Sequence, residues 1–215
     1  METLLLFIAD VRGFINKDRF NRYYDCMPRA IKEKIQDLKN DKAKRQTLGG
    51  WSLLCGALAD ELNVLATEDF AGVDVLYREH GKPFITGMDD LHFNISHSGD
   101  YAICAVSDTE VGCDIEKTGE LNMSLAERFF TPEEKSVIRS SDDFFKIWVK
   151  KESVIKCTGE GLSRSLDTFS VLSNRVDIGG ETMYTGLAKA PNGYKIAVCN
   201  YIEHNKARFI NKTFN

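Results

Sequence analysis

The chain has 215 residues, is 43% hydrophobic and 28% charged, and carries a formal net charge of −4 at pH 7. That length can bury a full core as one domain or two small ones. The acidic balance argues against a nucleic-acid partner, whose domains are usually basic.

The first apolar run, Leu4 to Ala9, is far too short to span a bilayer, and no basic segment precedes it. It reads as a buried strand, and a cytoplasmic protein with no membrane partner is expected. Short helices are expected over Asn16–Tyr24 and Pro28–Leu38. A longer one is expected from about Asp41 to Leu62, with Leu48, Trp51, Leu54, Cys55 and Leu58 as its buried stripe. Gly49, Gly50 and Gly56 are costly in a helix and point to close packing there. Val73 to Tyr77 reads as a strand, followed by the turn Glu79-His80-Gly81-Lys82-Pro83.

His92–Ile95 and Tyr101–Ser107 read as strands joined by the loop Ser96-His97-Ser98-Gly99-Asp100. Val111–Glu116 follows closely, as if completing an antiparallel meander. A helix is expected over Leu121–Phe130. Thr131-Pro132-Glu133-Glu134 then supplies an N-cap, a proline and a capping-box acid for the next one. Asp142 or Asp143 would cap a further helix that stops near Gly159. Thr168–Leu172, Thr182–Ala188 and Tyr194–Tyr201 read as strands, and the polar tail from Glu203 onward as frayed. The order favours α+β architecture with largely antiparallel sheets. Six cysteines without a CxxC pair read as reduced, buried thiols, and His80, His92, His97 and His204 show no metal-ligand spacing.

Chemistry concentrates in two stretches. In a strand, Asp114 and Glu116 share one face, while Cys113 and Ile115 share the other. In a helix, Trp148, Glu152 and Lys156 share one face. Three carboxylates beside a lysine suit a hard divalent cation holding a phosphate-bearing substrate. On spacing alone, the wet face of an edge strand and an ordinary surface ion pair remain open. Trp148 itself reads as a core residue, since its helix must bury a stripe.

The ordered set Gly81-Lys82-Pro83, Phe93-Asn94-Ile95-Ser96-His97-Ser98, Gly112-Cys113-Asp114-Ile115-Glu116, Trp148, Lys151-Glu152-Ser153 and Lys156 resembles the Sfp-type 4′-phosphopantetheinyl transferases. Arg128-Phe129-Phe130 with Glu134, and Gly159-Glu160-Gly161-Leu162-Ser163, extend the match, which runs from about Lys34 to Leu172. The resemblance implies two similar α/β halves, residues 1–106 and 107–215, related by pseudo-twofold symmetry with the active site between them. It implies transfer of phosphopantetheine from coenzyme A to a serine of an apo acyl or peptidyl carrier protein, as in holo-[acyl-carrier-protein] synthases, with release of adenosine 3′,5′-bisphosphate. The enzyme would act as a monomer with pseudo-dimeric halves.

By the same resemblance, Asp114, Glu116 and Glu152 would bind Mg²⁺, with Mn²⁺ as a substitute, and Lys156 would contact the pyrophosphate. Ser96, His97, Arg45 and Lys34 would hold the nucleotide 3′-phosphate, with Arg29 and Lys32 competing for the place of Lys34. Lys82-Pro83 would form a rigid turn against the adenine. The general base would be Glu134, Glu152 or a metal-bound water; Glu134 is favoured because ligation lowers the basicity of Glu152. A coenzyme A binding module without catalysis would lack one of these groups, and none is missing. An acyltransferase would need a Cys/His or Ser/His constellation, and none is visible.

Overall fold

The computed structural model describes residues 4–203 and 208–214. Its first sheet has the order β10-β1-β5-β4, built from β1 (Leu4–Asp10), β4 (His92–Ser98), β5 (Tyr101–Ser107) and β10 (Arg208–Asn211). The second has the order β6-β9-β8-β7, from β6 (Val111–Lys117), β7 (Arg175–Ile178), β8 (Glu181–Ala188) and β9 (Tyr194–Asn200). Both are antiparallel except that β10 runs parallel to β1. A small hairpin, β2 (Val75–Tyr77) and β3 (Pro83–Ile85), stands apart.

The continuous apolar run of β1 follows from burial on both faces. Leu4, Leu6 and Ile8 join Ile103, Cys113, Ile115, Ile196 and Val198 in a core between the two sheets. Leu5, Phe7 and Ala9 face the core that contains Leu48 and Leu54 of α3 (Asp41–Gly56). On the far side, α6 (Ser141–Thr158) covers the second sheet through Val154, Cys157 and Cys199. The layers therefore run helix, sheet, sheet, helix. Shorter helices complete them: α1 (Lys17–Asp25), α2 (Arg29–Asp37), α4 (Met123–Phe129) and α5 (Pro132–Val137).

Glycines set the closest approaches. A Cβ at Gly49 or Gly50 would collide with Val11 or Ile95, so α3 lies against β4 because those positions carry no side chain. At Gly112 a Cβ would overlap Ser153 O and Cys157 N of α6, both backbone atoms that cannot rotate away. Gly112→Ala should cost about 1–3 kcal/mol or more through overpacking. Thermal unfolding would read this as a lower Tm; an unchanged Tm would mean that α6 can shift.

Several expectations need correction. The helix from Asp41 is regular only to Gly56 and continues as a wider turn over 57–61. β4 extends through Ser98, so Ser96 and His97 lie in the strand, not in a loop. The expected meander is broken, because β6 leaves β5 and pairs with β9. Thr168–Leu172 is not a strand: buried lysines take carbonyls in it and just before it, Lys151 bonding Phe169 O and the preceding Leu166 O while Lys150 bonds Val171 O. Ser140, not Asp142 or Asp143, caps α6.

The tail also differs. β10 pairs with β1, and Phe214 stacks on Phe14 with ring centroids 4.4 Å apart. Residues 107–215 therefore do not form a self-contained half, since their last strand completes the first sheet. His204 lies outside the described residues. Among those described the cysteines are free thiols, five buried and Cys26 half-buried. No described helix is long and apolar enough to cross a membrane.

Candidate active site

β6 turns Asp114 and Glu116 toward α6, which returns Trp148, Glu152 and Lys156 from one of its faces. Asp114 is 2% exposed. Its Oδ1 receives hydrogen bonds from Lys156 Nζ at 2.5 Å and Ser96 Oγ at 2.9 Å. Glu116 Oε2 receives one from Ser98 Oγ at 2.7 Å. Trp148 packs on Phe144, centroids 6.0 Å apart, and on Phe129 at 5.8 Å, so its half-buried ring lies against the core.

Burial raises the Glu116 pKa against the pull of Ser98. Burial likewise pushes Glu152 up to about 7, Asp114 and Glu116 adding to the shift and Lys156 opposing it. For Lys156, burial lowers the pKa, but Asp114 and Glu152 outweigh it and the net shift is upward. The three carboxylates thus share one electrostatic environment that a single lysine only partly neutralises.

A hard divalent cation fits this donor set. Asp114 Oδ2 is buried and has no hydrogen-bond partner, which is costly for a carboxylate oxygen unless something binds it. Among the described residues, no three His, Cys, Asp or Glu side chains stand close enough to hold an ion by themselves, so a cation here would draw the rest of its shell from water or phosphate oxygens.

The pH dependence follows with a definite sign. Glu152 stands near 7 in the fold against an ordinary 4.5, so the folded chain holds that proton more tightly than the unfolded one. Its contribution to stability is full below about pH 4.5 and is lost as the pH rises through about 7. Melts of metal-free protein should show that loss, Glu152→Gln should remove it, and Mg²⁺ should stabilise most at the upper end. An unchanged slope in Glu152→Gln would place the titration on another group.

Glu134 belongs elsewhere. It is fully buried; Oε2 accepts from Thr131 N at 2.9 Å and pairs with Lys151 Nζ at 2.8 Å, while Oε1 accepts from Val171 N at 2.8 Å. With both oxygens engaged and no solvent access, it holds α5 to the 166–171 segment and cannot receive a substrate proton. This corrects the expectation that favoured it as the base.

Lys156 also opens onto a cleft of about 280 Å³ lined by Lys34, Thr47, Trp51, Tyr77, His80, Lys82, Pro83 and His97, among others. Lys34 Nζ lies 5.5 Å from the Tyr77 ring centroid. Its rivals are engaged away from the cleft: Arg29 pairs with Glu33 at 2.8 Å, and Lys32 bonds Asp25 O at 2.8 Å. His97 faces the cleft, where desolvation, then the charges of Lys156 and Lys34, lower its pKa.

Three nucleotide-binding expectations change. Arg45 lines a separate cavity with Phe14, Lys17 and Asp41, so it does not converge with His97. Ser96 is buried on the opposite face of β4 from His97, bonded to Asp114 and Lys156. Lys82 lends the cleft its stem, but its ammonium turns away to Glu110 Oε2 at 2.5 Å, Val111 O at 3.0 Å and Cys157 O at 2.9 Å. Those acceptors use all three of its protons. Pro83 does line the cleft, at the start of β3.

Sequence reasoning missed Tyr77, Thr47, Glu110 and Ser98. Only Ser98 left a local signal, the polar alternation Asn94/Ser96/Ser98 within a strand.

A carboxylate cluster and a lysine stand at the end of a cleft lined by Lys34 and His97, an arrangement whose charges suit an anionic, phosphate-bearing ligand. Residues 110–199 match the family model described as the 4′-phosphopantetheinyl transferase superfamily. A 4′-phosphopantetheinyl transferase of Bacillus subtilis is 36% identical over 181 residues, covering 78% of this chain and 79% of that protein. The Sfp enzyme of Bacillus subtilis strain 168 is 31% identical over 86% of this chain and 87% of its own. The gsp transferase of Aneurinibacillus migulanus is 32% identical over 91% and 85%. The chain belongs to the 4′-phosphopantetheinyl transferase superfamily.

Proposed function

We propose that this chain transfers the 4′-phosphopantetheine group of coenzyme A to a serine hydroxyl of an apo acyl or peptidyl carrier protein, with release of adenosine 3′,5′-bisphosphate. The observation that carries this reading is the continuity of the site: Lys156 pairs with Asp114 on one side and lines the Lys34/His97 cleft on the other. The nucleotide lies in the cleft, its 3′-phosphate near Lys34 and His97, with the Pro83 turn against the base. Asp114, Glu116 and Glu152 hold Mg²⁺, or Mn²⁺ in its place. When bound, that ion supplies charge neutralisation to the attacked phosphate and the leaving group. Lys156 contributes a second positive charge to the pyrophosphate. With Glu134 buried and both its oxygens engaged, Glu152 is left to take the serine proton directly or through water, and its metal-free pKa of about 7 would fall once it ligates the ion.

The chain acts as a monomer whose two sheet-and-helix units are related by a pseudo-twofold axis. In support, Tyr101 and Tyr194 open the equivalent strands β5 and β9, and their rings meet at 5.0 Å. We place the protein in the cytoplasm. Incubation of apo carrier with coenzyme A and Mg²⁺, followed by intact-mass analysis, should show addition of one phosphopantetheine. No mass increase across acyl and peptidyl carriers would overturn the reading.

Nucleotide recognition has its own test. Lys34→Ala and His97→Ala should each raise KM for coenzyme A by roughly 10- to 150-fold, corresponding to about 1.5–3 kcal/mol for a hydrogen bond to a charged group. The loss should nearly vanish with 3′-dephospho-coenzyme A, and Arg45→Ala should change neither substrate's KM. Equal losses on both substrates would remove the 3′-phosphate from this cleft.

A further inference from the structure

β4 and β6 are edge strands of different sheets, and no backbone ladder joins them among the described residues. Side chains do so instead. Asn94 Oδ1 accepts from Cys113 N at 2.9 Å, Ser96 Oγ from Ile115 N at 3.4 Å, and Ser98 Oγ from Lys117 N at 3.0 Å. The three project from one face of β4 at a two-residue spacing. The three amides lie on the edge of β6 away from β9 at the same spacing. The teeth and the slots therefore match by strand geometry alone.

The two serines do more than bridge the strands. Ser96 Oγ donates to Asp114 Oδ1 at 2.9 Å, and Ser98 Oγ donates to Glu116 Oε2 at 2.7 Å. Each hydroxyl thus accepts from one amide of β6 and donates to the carboxylate one residue earlier. Each has a single proton, so its direction is set by the amide it faces. Asp114 Oδ1 is held while Oδ2 is left without a partner.

We propose that Asn94, Ser96 and Ser98 form a side-chain comb that fixes the carboxylates of Asp114 and Glu116 in their cation-binding orientation. Asn94 sets the register of β4 against β6, and the two serines aim the acids. Ser98 is a positioning residue, acting on substrate only through Glu116. The proposal rests on the reading of Asp114 and Glu116 as cation ligands.

The test uses Mn²⁺ as the probe, with the unbound ion measured by electron paramagnetic resonance in the presence of coenzyme A. Ser98→Ala should weaken Mn²⁺ binding by roughly 10- to 100-fold, the usual cost of losing a partner that orients a ligand. Ser98→Thr keeps the hydroxyl and should restore most of the affinity. In turnover assays, Ser98→Ala should be impaired at limiting metal and largely rescued at saturating metal. Loss of the strand bridge alone would lower Tm without moving the Mn²⁺ affinity. If Ser98→Ala binds Mn²⁺ normally while Glu116→Gln does not, the comb does not aim the acids. If Glu116→Gln also binds normally, the carboxylate reading itself falls, and the comb's role with it.

Discussion

Asp114→Asn should reduce phosphopantetheine transfer by roughly 10²–10³-fold, the range for removing one preorganised group that stabilises transition-state charge. The substitution keeps the shape of a side chain only 2% exposed, so the fold should survive and circular dichroism should be unchanged. Two losses combine: the oxygen with no protein partner no longer carries charge, and Lys156 loses the anion that raises its pKa. Time-resolved intact-mass measurement of the carrier reads the rate directly. The defect should persist at saturating coenzyme A, because the lost interaction lies at the reacting phosphate and not at the nucleotide. Turnover near the unmutated level at saturating Mg²⁺ would show that Asp114 is no part of the chemistry.

Glu134→Gln should behave in the opposite way. Lys151 and Glu134 are both fully buried and paired at 2.8 Å, so the change leaves a buried ammonium without its counter-charge. Burial already lowers the Lys151 pKa, and Glu134 is the group opposing that shift. Breaking a buried pair from one side costs about 3–5 kcal/mol, equivalent to a Tm lower by roughly 6–20 °C for a chain of this size. Turnover per folded molecule should stay close to normal at low temperature. Differential scanning calorimetry paired with active-site titration separates the two quantities. A hundredfold fall in kcat with an unchanged Tm would return Glu134 to the catalytic machinery.

The contrast between these acids shows what the sequence could and could not reveal. Asp114, Glu116, Glu152 and Lys156 were legible because periods of two and four residues put them on facing surfaces of a strand and a helix. The capping box at Thr131–Glu134 was equally legible. Its decisive partner was not, because nothing local marks Lys151, about 100° around α6 from Glu152, as fully buried. Arg45 was misplaced by helix rotation: it lies two residues from Thr47, roughly 200° around α3, and the Gly49/Gly50 contacts fix which side faces the cleft. His97 sits in a strand because the turn that follows needs only Gly99 and Asp100, with Gly99 at φ +58°. The departure of β6 from the first sheet left no trace in its own residues, whose alternation would suit either sheet. It depends on the partnership with β9, some eighty residues further along the chain.

The parallel pairing of β10 with β1 bears on how the chain matures. β1 leaves the ribosome before the strands it pairs with, and one of its edges stays open until residues 208–211 have been made. During that interval the apolar segment Leu4–Ala9 offers unpaired backbone to any neighbouring strand, the condition under which nascent chains associate. The pairing spans almost the whole sequence, and closing so long a loop slows folding. A chain interrupted before residue 208 would keep every group of the active site and still lack the strand that seals the first sheet. Its weakness would be persistence in solution rather than chemistry.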